Sequence, residues 1–456
     1  MKFHFHAKRL AGICAATAFL VFLFSYNLIL GSGLIPGANK AVDQRTKLLE
    51  DAAARRATVE GQFVDCNGIA ITEAEEPGVP AQLVCDGVYG ILVGYNTNMY
   101  GTSGLRKTYY DDLYYGGKDG IGATIALTTN NDLQQYCYDL LGSHEGSVIV
   151  MNAETGALLA CASRSSGEIA YTVNDIDEKF PEYVKIDGFF LNPATTSEHT
   201  GGSTGKIITG ACMVQNGLED YVNDDTGVYT VGSTSIHNYG KAVYGDGIDL
   251  QKAFNKSINT YFASAGVELN AKKLLDTATA FGYGQTLELD FATLRSTFNL
   301  ENLNNKSLVA QTAYGQGKVA VSPLNVAMMM GAIVNDGKIM KPYLVQSITD
   351  DGKVEQDTKP TVAYETLDKS TAEKMQGYLH NVAVSYGFEE DVYGQVYAKT
   401  GTADQTNGLN TCYYLMGVET DSGKYVLVVN HRNTTGTSGS LKKAATDLLA
   451  YVVTMM

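Results

Sequence analysis

The pattern of apolar and polar positions first marks a long apolar run near the N-terminus. Residues 10–30 carry no charged side chain, and a helix of about 20 apolar residues crosses the ~30 Å hydrocarbon core of a membrane. Lys2, Lys8 and Arg9 precede the run, and basic residues on that side keep an N-terminus in the cytoplasm. The pattern predicts a cytoplasmic tail at residues 1–9 and a retained transmembrane helix at residues 10–30. A cleaved signal peptide, whose apolar region is usually about 7–15 residues long, is the alternative.

The next hundred residues are more polar and show short, mixed elements. Apolar spacing predicts a helix at residues 39–56. Stretches rich in β-branched residues, separated by turn signals, follow from residue 61 to residue 85. We therefore expect residues 31–140 to form a small N-terminal module.

The remainder of the chain reads as strands at both ends with helices between them. Strands are predicted at residues 146–151, 157–162, 396–402, 412–418 and 425–430. Helices are predicted at residues 206–215, 250–265, 271–281, 323–335, 371–383 and 440–453. This order favours one antiparallel sheet assembled from N-terminal and C-terminal parts and covered by helices. The sequence thus predicts an α+β domain at residues 141–456.

Composition narrows the classes of function. The formal net charge is −15, which argues against nucleic acid binding because phosphates require a basic face. Seven cysteines in 456 residues are too few for a small domain held together by disulfides. Outside the cytoplasm, Cys66 and Cys85 are the nearest pair and could form a bridge. No cysteine spacing indicates a metal or redox site, so neither a metal nor a cofactor is predicted.

A Ser-x-x-Lys motif opens the first helix after the early strands. Ser203 and Lys206 are spaced so that their side chains fall on one face of a helical turn. A serine hydroxyl is a weak nucleophile until a base removes its proton, and a desolvated lysine with a lowered pKa can do so. Taken alone, the motif also fits an N-cap serine beside a solvated lysine.

Two further polar motifs follow along the chain. Ser257 and Asn259 form a Ser-x-Asn motif, which can bring a hydroxyl and an amide to the same cleft. A Lys-Thr-Gly-Thr motif begins at Lys399 on a predicted strand. A lysine and hydroxyls on a strand can hold a substrate carboxylate, and the glycine allows close backbone approach.

The order of these three motifs resembles the active-site set of the penicillin-binding proteins and serine β-lactamases. Residues 61–68 and 100–113 are similar to the "RGxIxDRNG" and "YGxxGLExxYDxxL" segments of class B penicillin-binding proteins. Residues 315–324 and 335–343 are similar to stretches that such proteins carry between the second and third motifs. Over residues 38–456 the chain therefore resembles a class B penicillin-binding protein, a membrane-anchored peptidoglycan D,D-transpeptidase.

The resemblance implies a fold and a reaction. The fold is an antiparallel five-stranded sheet flanked by helices, with an all-helical subdomain, joined to a small N-terminal pedestal and one transmembrane helix. The reaction is a cofactor-free acyl transfer that cross-links peptidoglycan stem peptides, and β-lactam antibiotics are expected to acylate the enzyme. A separate glycosyltransferase is the expected partner, and the bacterial cell membrane, with the catalytic domain outside the cytoplasm, is the expected location.

The resemblance also assigns roles to the motif residues. It implies that Ser203 attacks the carbonyl of the penultimate D-Ala and that Lys206 is the general base. Ser257 and Asn259 would orient the substrate and relay a proton to the leaving group.

The third motif would bind the end of the donor peptide. Lys399, Thr400 and Thr402 would hold the terminal carboxylate, and Gly401 would let the backbone approach it. The backbone N–H groups of Ser203 and Thr402 would form the oxyanion hole.

Several positions depart from the family pattern. Gly201 stands where the family usually has proline, and Gly205 where it has phenylalanine. Glu60 and Cys66 replace the two arginines of "RGxIxDRNG", and Arg106 replaces the glutamate of "GLE".

Other function classes stay open on sequence alone. A hydrolase on the same fold, either a β-lactamase or a D,D-carboxypeptidase, needs a positioned base for water, and Glu268, Glu288 and Glu301 lie in the intervening stretch. A non-catalytic penicillin-binding scaffold or sensor is the third class. Residues 201–205 also match a nucleophile elbow, but that motif needs a preceding strand, which the polar residues 195–200 do not predict.

Overall fold

The computed structural model describes Thr17, Val21 and residues 38–455, except residues 116, 118, 299, 301–303, 406 and 407. The predicted transmembrane helix at residues 10–30 therefore lies outside the described residues, apart from two positions. None of the helices that the described residues form is both long and apolar enough to cross a membrane.

The N-terminal module is built from short elements behind one long helix. Its helices are α1 Ala38–Ala57, α2 Asp86–Val93, α3 Gly104–Thr108, α4 Tyr110–Tyr115 and α5 Asn131–Leu140. Its strands are β1 Gln62–Val64, β2 Thr72–Glu73, β3 Gln82–Leu83, β4 Asn96–Thr97, β5 Gly101–Thr102 and β6 Thr124–Leu127. Helix α1 confirms the predicted helix at residues 39–56. Cys66 and Cys85 are both free, so the bridge considered for them is not formed.

The rest of the chain alternates long helices with strands. The strands are β7 Gly146–Asn152, β8 Leu158–Arg164, β9 Asn223–Asp225, β10 Val228–Val231, β11 Thr234–His237, β12 Gly245–Ile248, β13 Thr297–Phe298, β14 Val319–Ala320, β15 Lys338–Met340, β16 Val345–Asp350, β17 Lys353–Asp357, β18 Val362–Glu365, β19 Gln395–Asp404, β20 Asn410–Thr420 and β21 Gly423–Thr434. The helices are α6 Ile176–Tyr183, α7 Lys206–Gln215, α8 Leu250–Lys256, α9 Asn259–Leu269, α10 Ala271–Ala280, α11 Lys306–Ala313, α12 Pro323–Val334, α13 Lys369–Ser385, α14 Glu390–Tyr393 and α15 Lys442–Met455.

A five-stranded antiparallel sheet lies at the centre of this region. Its strand order is β19-β20-β21-β7-β8, so the N-terminal hairpin joins the C-terminal strands. Helices α12 and α13 pack on β19 to β21, and α5 and α15 pack on β8 and β21. Strands covered on both faces read as continuous apolar runs, as β7 and β20 do. The predicted sheet is confirmed.

One predicted helix is wrong in a way that matters for function. The apolar spacing of residues 250–265 predicts a single helix, but the structure breaks it into α8 and α9. Ser257 ends α8 in the left-handed conformation, with φ 52° and ψ 48°. The backbone conformation of a single residue does not alter apolar periodicity, so the pattern gave no sign of the break.

A second, four-stranded sheet joins the N-terminal module to the rest of the chain. Its order is β1-β6-β16-β17, with β1 and β6 parallel and the other pairs antiparallel. Strands β16 and β17 come from residues 345–357, so this sheet contains strands from both sides of residue 140. The module is therefore fixed to the α+β domain by backbone hydrogen bonds.

Two of the departures from the family pattern are partners in the core of the N-terminal module. Arg106 Nε lies 3.0 Å from Glu60 Oε1, and both side chains are buried. Glu60 also accepts hydrogen bonds from the backbone N–H of Ala81 and from the hydroxyl of Tyr114, both at 2.8 Å. Arg106 donates to the carbonyl oxygens of Ala81 and Gly94. The chain therefore holds an arginine–carboxylate pair with the two charges exchanged between the positions.

Candidate active site

The Ser203 segment is a tight turn pressed against the sheet. Gly202–Gly205 forms a 3₁₀ turn that leads directly into α7 at Lys206. Gly202 has φ 55°, and a Cβ there would lie 2.8 Å from the carbonyl oxygen of Thr402 on β19. A side chain at residue 202 would therefore push the Ser203 turn away from the strand that carries the Lys-Thr-Gly-Thr motif.

The departure at Gly205 has a packing reason. A Cβ on Gly205 would lie 2.8 Å from the Cα of Gly315. A Cβ on Gly315, which has φ 87°, would lie 1.7 Å from the carbonyl oxygen of Gly202. The backbone around residue 315 thus occupies the space that a phenylalanine at residue 205 would need.

Lys206 connects two of the three motifs. Its Nζ lies 2.8 Å from Ser203 Oγ. The same nitrogen lies 2.8 Å from the carbonyl oxygen of Ser257, 3.0 Å from Ser257 Oγ and 2.7 Å from Asn259 Oδ1. The first-turn spacing of Ser203 and Lys206 and the helix break at Ser257 together produce this cluster.

Lys399 brings the third motif to the same point. Its Nζ lies 2.9 Å from Ser257 Oγ and 3.0 Å from the carbonyl oxygen of Thr400. The Ser257 hydroxyl is therefore shared between Lys206 and Lys399. The structure brings Ser203, Ser257 and Lys399 together, as the motif order predicts.

Both lysines are fully buried, and this changes their acidity. Burial lowers the pKa of Lys399 to about 7. Burial, together with the neighbouring Lys399, holds the pKa of Lys206 well below its ordinary value. Loss of hydration disfavours a charged amine, and a like charge nearby adds to the effect. A neutral Lys206 amine can accept the Ser203 proton.

Asn259 is held from two sides. Its Oδ1 faces Lys206, and its Nδ2 donates to the carbonyl oxygen of His237 at 3.0 Å. Because a carbonyl oxygen can only accept, this contact fixes which end of the amide points to Lys206.

The threonines after Lys399 are held by two residues that the sequence analysis did not single out, one through its side chain and one through its backbone. The Thr400 hydroxyl lies 3.1 Å from the Tyr386 hydroxyl. The Thr402 hydroxyl accepts from the backbone N–H of Ser438 at 3.0 Å. No sequence motif marks Tyr386 or Ser438, and each reaches the site through tertiary packing.

Gly401 lies where the strand meets the Ser203 turn. A Cβ on Gly401 would lie 2.9 Å from Thr204 Cγ2 and 3.0 Å from the carbonyl oxygen of Gly201. The glycine thus permits close approach of the strand and the Ser203 turn, and its predicted role toward the donor carboxylate stays a prediction.

Residues from all three motifs line one groove of about 480 Å³. Its wall includes Ser203, Ser257, Asn259, Thr400 and Thr402. The wall also includes residues that no motif predicts, namely His237, Asn238, Tyr239, Gly240, Tyr244, Lys256, Tyr314, Gln316, Asp404, Thr437 and Ser438. Ser203 and Thr402 line the same groove, as an oxyanion hole made from their N–H groups requires.

Within the described part of the chain, no group of three or more histidine, cysteine, aspartate or glutamate side chains is arranged to hold a metal ion. The groove instead presents the Ser203 and Ser257 hydroxyls and the Asn259 amide, and the buried amines of Lys206 and Lys399, whose pKa values are lowered, lie directly behind them. This set can deliver a serine nucleophile, a base and a hydroxyl relay for acyl transfer.

Comparison with known proteins agrees with this chemistry. Residues 146–450 match the family described as "Penicillin binding protein transpeptidase domain". The chain is 28% identical over 292 residues to "Peptidoglycan D,D-transpeptidase PbpA" of Mycolicibacterium smegmatis, and the aligned region covers 57% of the chain and 59% of that relative. It is 29% identical over 319 residues to the protein of the same name from Mycobacterium tuberculosis, and here the aligned region covers 64% of the chain and 62% of the relative. The matched regions thus span about three fifths of the length of these relatives.

Solved structures share the fold. The D,D-transpeptidase domain of a peptidoglycan glycosyltransferase from Eggerthella lenta superimposes with a TM-score of 0.78 at 26% identity, covering 88% of this chain and 98% of that one. The imipenem acyl-enzyme complex of penicillin-binding protein A from M. tuberculosis gives a TM-score of 0.78 at 21% identity, covering 88% of this chain and 100% of that one.

Proposed function

The chain belongs to the penicillin-binding protein transpeptidase family, and we propose that it is a peptidoglycan D,D-transpeptidase working through an acyl-enzyme on Ser203. The observation that carries this proposal is the contact of 2.8 Å between Lys206 Nζ and Ser203 Oγ, made by a buried lysine of lowered pKa. The sequence and structural relatives named as D,D-transpeptidases support the same reaction.

The reaction follows from the positions of the groups. Neutral Lys206 takes the Ser203 proton as the oxygen attacks the carbonyl of the penultimate D-Ala. The N–H groups of Ser203 and Thr402 stabilise the oxyanion, and losing one such donor typically costs about 10²–10³ in kcat. The proton then passes through the Ser257 hydroxyl, which contacts both lysines, to the departing D-Ala.

The second half of the reaction regenerates the enzyme. An amine from a neighbouring stem peptide attacks the acyl-enzyme carbonyl, the new amide bond forms and Ser203 recovers its proton. Lys399, Thr400 and Thr402 hold the carboxylate of the donor, which is also the group that a β-lactam presents. β-Lactams therefore acylate Ser203 as mimics of the donor.

The groove favours transfer over hydrolysis. Glu268 and Glu288 are exposed and do not line the groove, and Glu301 lies outside the described residues. Among the described lining residues, the carboxylate is that of Asp404, at the exposed end of β19. Class A β-lactamases use a dedicated glutamate to activate the deacylating water, and the described residues that line the groove offer no glutamate.

We also propose the setting in which the enzyme works. The apolar run at residues 10–30 and the basic residues before it support a single membrane anchor with the catalytic domain outside the cytoplasm. Peptidoglycan stem peptides are the substrates. A separate glycosyltransferase that supplies the glycan strands is the partner.

Labelling with a fluorescent penicillin tests the proposal. The wild-type chain is expected to take one stable label, and Ser203→Ala to take none. Ser422→Ala, in the exposed turn between β20 and β21, is the matched control and should label normally. A donor peptide ending in D-Ala-D-Ala, incubated with an amine acceptor, should yield cross-linked product and free D-Ala by mass spectrometry.

The same experiment separates the other function classes. Rapid loss of the label with release of hydrolysed penicillin would identify a hydrolase. A folded wild-type chain that takes no label would identify a non-catalytic scaffold.

A further inference from the structure

A buried hydrogen-bond network lies behind the Ser-x-Asn motif. At its centre is the carboxylate of Asp225, which is 5% exposed and belongs to β9. It accepts from the Thr260 hydroxyl at 2.7 Å and from the backbone N–H groups of Tyr244 and Gly227 at 2.8 and 3.0 Å. It also accepts from Asn238 Nδ2 at 2.9 and 3.0 Å.

The network continues toward the groove through the residues next to the motif. Asn238 Oδ1 accepts from the backbone N–H and the hydroxyl of Thr260, at 3.1 and 3.2 Å. Asn238 Nδ2 also donates to the carbonyl oxygen of Ala242 at 3.1 Å. Asp225 therefore fixes two segments at once, namely the loop that follows β11 and the first turn of α9.

Those two segments meet at Asn259. His237, the last residue of β11 and the residue directly before Asn238, supplies the carbonyl that accepts from Asn259 Nδ2, and α9 carries Asn259 immediately before Thr260. If the loop moved, the Asn259 amide would lose the contact that keeps its Oδ1 2.7 Å from Lys206 Nζ. A continuous set of contacts thus runs from the Asp225 carboxylate to the proposed general base.

We propose that Asp225 is a positioning residue for the transpeptidase reaction: it orients the Asn259 amide, through Asn238 and the His237 carbonyl, so that Lys206 is held against Ser203. The proposal rests on the function proposed above, because it assigns Asp225 a part in that site. Asp225 does not line the groove. Its contribution is geometric, and it acts on the acylation step rather than on binding.

The charge of Asp225 suits this task. Burial alone would raise the pKa of the Asp225 carboxyl, but hydrogen bonds from Thr260, Tyr244, Gly227 and Asn238 hold that pKa below its ordinary value. The carboxylate therefore stays ionised and acceptor-only at neutral pH, so it matches the surrounding donors. An asparagine at residue 225 would present its NH₂ group to some of those donors.

Stopped-flow acylation by a fluorescent penicillin tests the inference on the full chain. The measurement separates the dissociation constant of the complex formed before acylation from the first-order acylation rate. In Asp225→Asn we expect the acylation rate to fall about tenfold or more, with the dissociation constant unchanged. Asp224→Asn is the matched control: it removes the same charge from the neighbouring exposed residue, whose Oδ1 accepts from the Gly247 N–H, and should acylate at the wild-type rate.

Two variants of Thr260 that change no charge cover the case in which Asp225→Asn fails to fold. Thr260→Val removes the hydroxyl that contacts Asp225 and Asn238, whereas Thr260→Ser keeps it. We expect Thr260→Val to slow acylation and Thr260→Ser to retain most of the rate. The rate is taken only from the fraction of molecules that accept label, so a purely structural role would lower that fraction and leave the rate constant unchanged.

The outcomes are distinct. Slow acylation confined to Asp225→Asn and Thr260→Val supports the inference. Wild-type acylation rates in both variants overturn it and leave the proposed function intact. A wild-type chain that takes no label overturns the proposed function, and this inference with it.

Discussion

Arg106 in the N-terminal module and Lys206 behind the groove are both buried basic side chains, 2% and 0% exposed. Arg106 is paired with the carboxylate of Glu60 and donates to two backbone carbonyls. Among the described residues, the hydrogen-bond partners of Lys206 Nζ are neutral oxygens, those of Ser203, Ser257 and Asn259. The same nitrogen lies 5.8 Å from the centre of the Phe262 ring. The charged side chain that contributes to the lowered pKa of Lys206 is Lys399, which has the same sign of charge.

The difference separates a structural charge from a chemical one. A buried cation with a matched anion stays charged and holds two segments in register. A buried amine without an anion gives up its proton more readily and becomes available as a base. Burial therefore has two different results in this chain: at Arg106 it stabilises the N-terminal module, and at Lys206 it creates a reactive amine.

Removing the Lys206 amine should have the largest effect, and that effect should fall on the acylation rate. In Lys206→Met we expect the rate of penicillin acylation to fall about 10²–10⁴-fold, the usual contribution of a general base. The free energy of unfolding should fall by less than the roughly 3–5 kcal/mol of a broken buried ion pair, because methionine leaves no uncompensated charge and costs the hydrogen bonds of the amine alone. Stopped-flow labelling and urea denaturation measure the two quantities. Lys272→Met, at an exposed lysine, is the control, and a marked loss of stability in Lys206→Met would contradict the interpretation.

Neutralising Glu60 should lower the stability of the protein and leave its chemistry unchanged. Glu60→Gln leaves Arg106 buried without its anion, and breaking such a pair typically costs about 3–5 kcal/mol of unfolding free energy. Urea denaturation measures this loss, while the acylation rate of the folded fraction should stay at the wild-type value. Asp276→Asn breaks the exposed pair with Lys272 and should cost at most about 1 kcal/mol.

The exchanged polarity of the pair can be tested in the same experiment. Glu60→Arg combined with Arg106→Glu restores the order of charges in the family pattern. We expect this double variant to be more stable than either single variant and less stable than wild type. The reason is that the Ala81 N–H and carbonyl groups face Glu60 and Arg106 respectively. Full recovery would show that the backbone does not select the polarity.

The pH dependence of stability sharpens the comparison further. Burial lowers the pKa of Lys399 from 10.5 to about 7, so between these values the unfolded chain binds more protons than the folded chain. The free energy of unfolding should therefore rise with pH from about 7 to 10.5, by at most about 1.4 kcal/mol per pH unit for one lysine. Urea denaturation across this range should show a shallower rise in Lys399→Met than in wild type. Equal slopes would show that Lys399 is not buried as an unpaired amine.

The smallest expected effect concerns the Tyr386 hydroxyl, which lies 3.1 Å from Thr400 Oγ1. Tyr386→Phe removes that single contact and should weaken the complex formed before acylation by about 0.5–1.5 kcal/mol, the worth of one hydrogen bond. The stopped-flow dissociation constant measures it. Tyr115→Phe is the control: it removes a hydroxyl that contacts Asp51 in the N-terminal module and should leave the dissociation constant unchanged. An unchanged dissociation constant in Tyr386→Phe would show that the strand alone positions Thr400.

Local features were readable from the chain. Short apolar runs and the turn signals between them predicted the strands of the central sheet, and the order of the three motifs predicted that Ser203, Ser257 and Lys399 would meet. These inferences succeed because periodicity reflects which face of an element is buried, and a motif records residue types that one reaction needs in one place.

Contacts between distant residues were decided only by the tertiary structure. Glu60 and Arg106 each read as an isolated departure until the fold paired them, and Asp225 carried no signal at all. Strands β16 and β17 join a sheet begun more than 200 residues earlier, and the α8–α9 break depends on one residue with positive φ. Burial completes the difference. The sequence by itself determined which motif residues supply the chemistry, whereas the rest of the groove wall and the lowered pKa values of the two lysines were decided by the folded chain. The reason is that these pKa values depend on how much water the fold excludes, which no local pattern encodes.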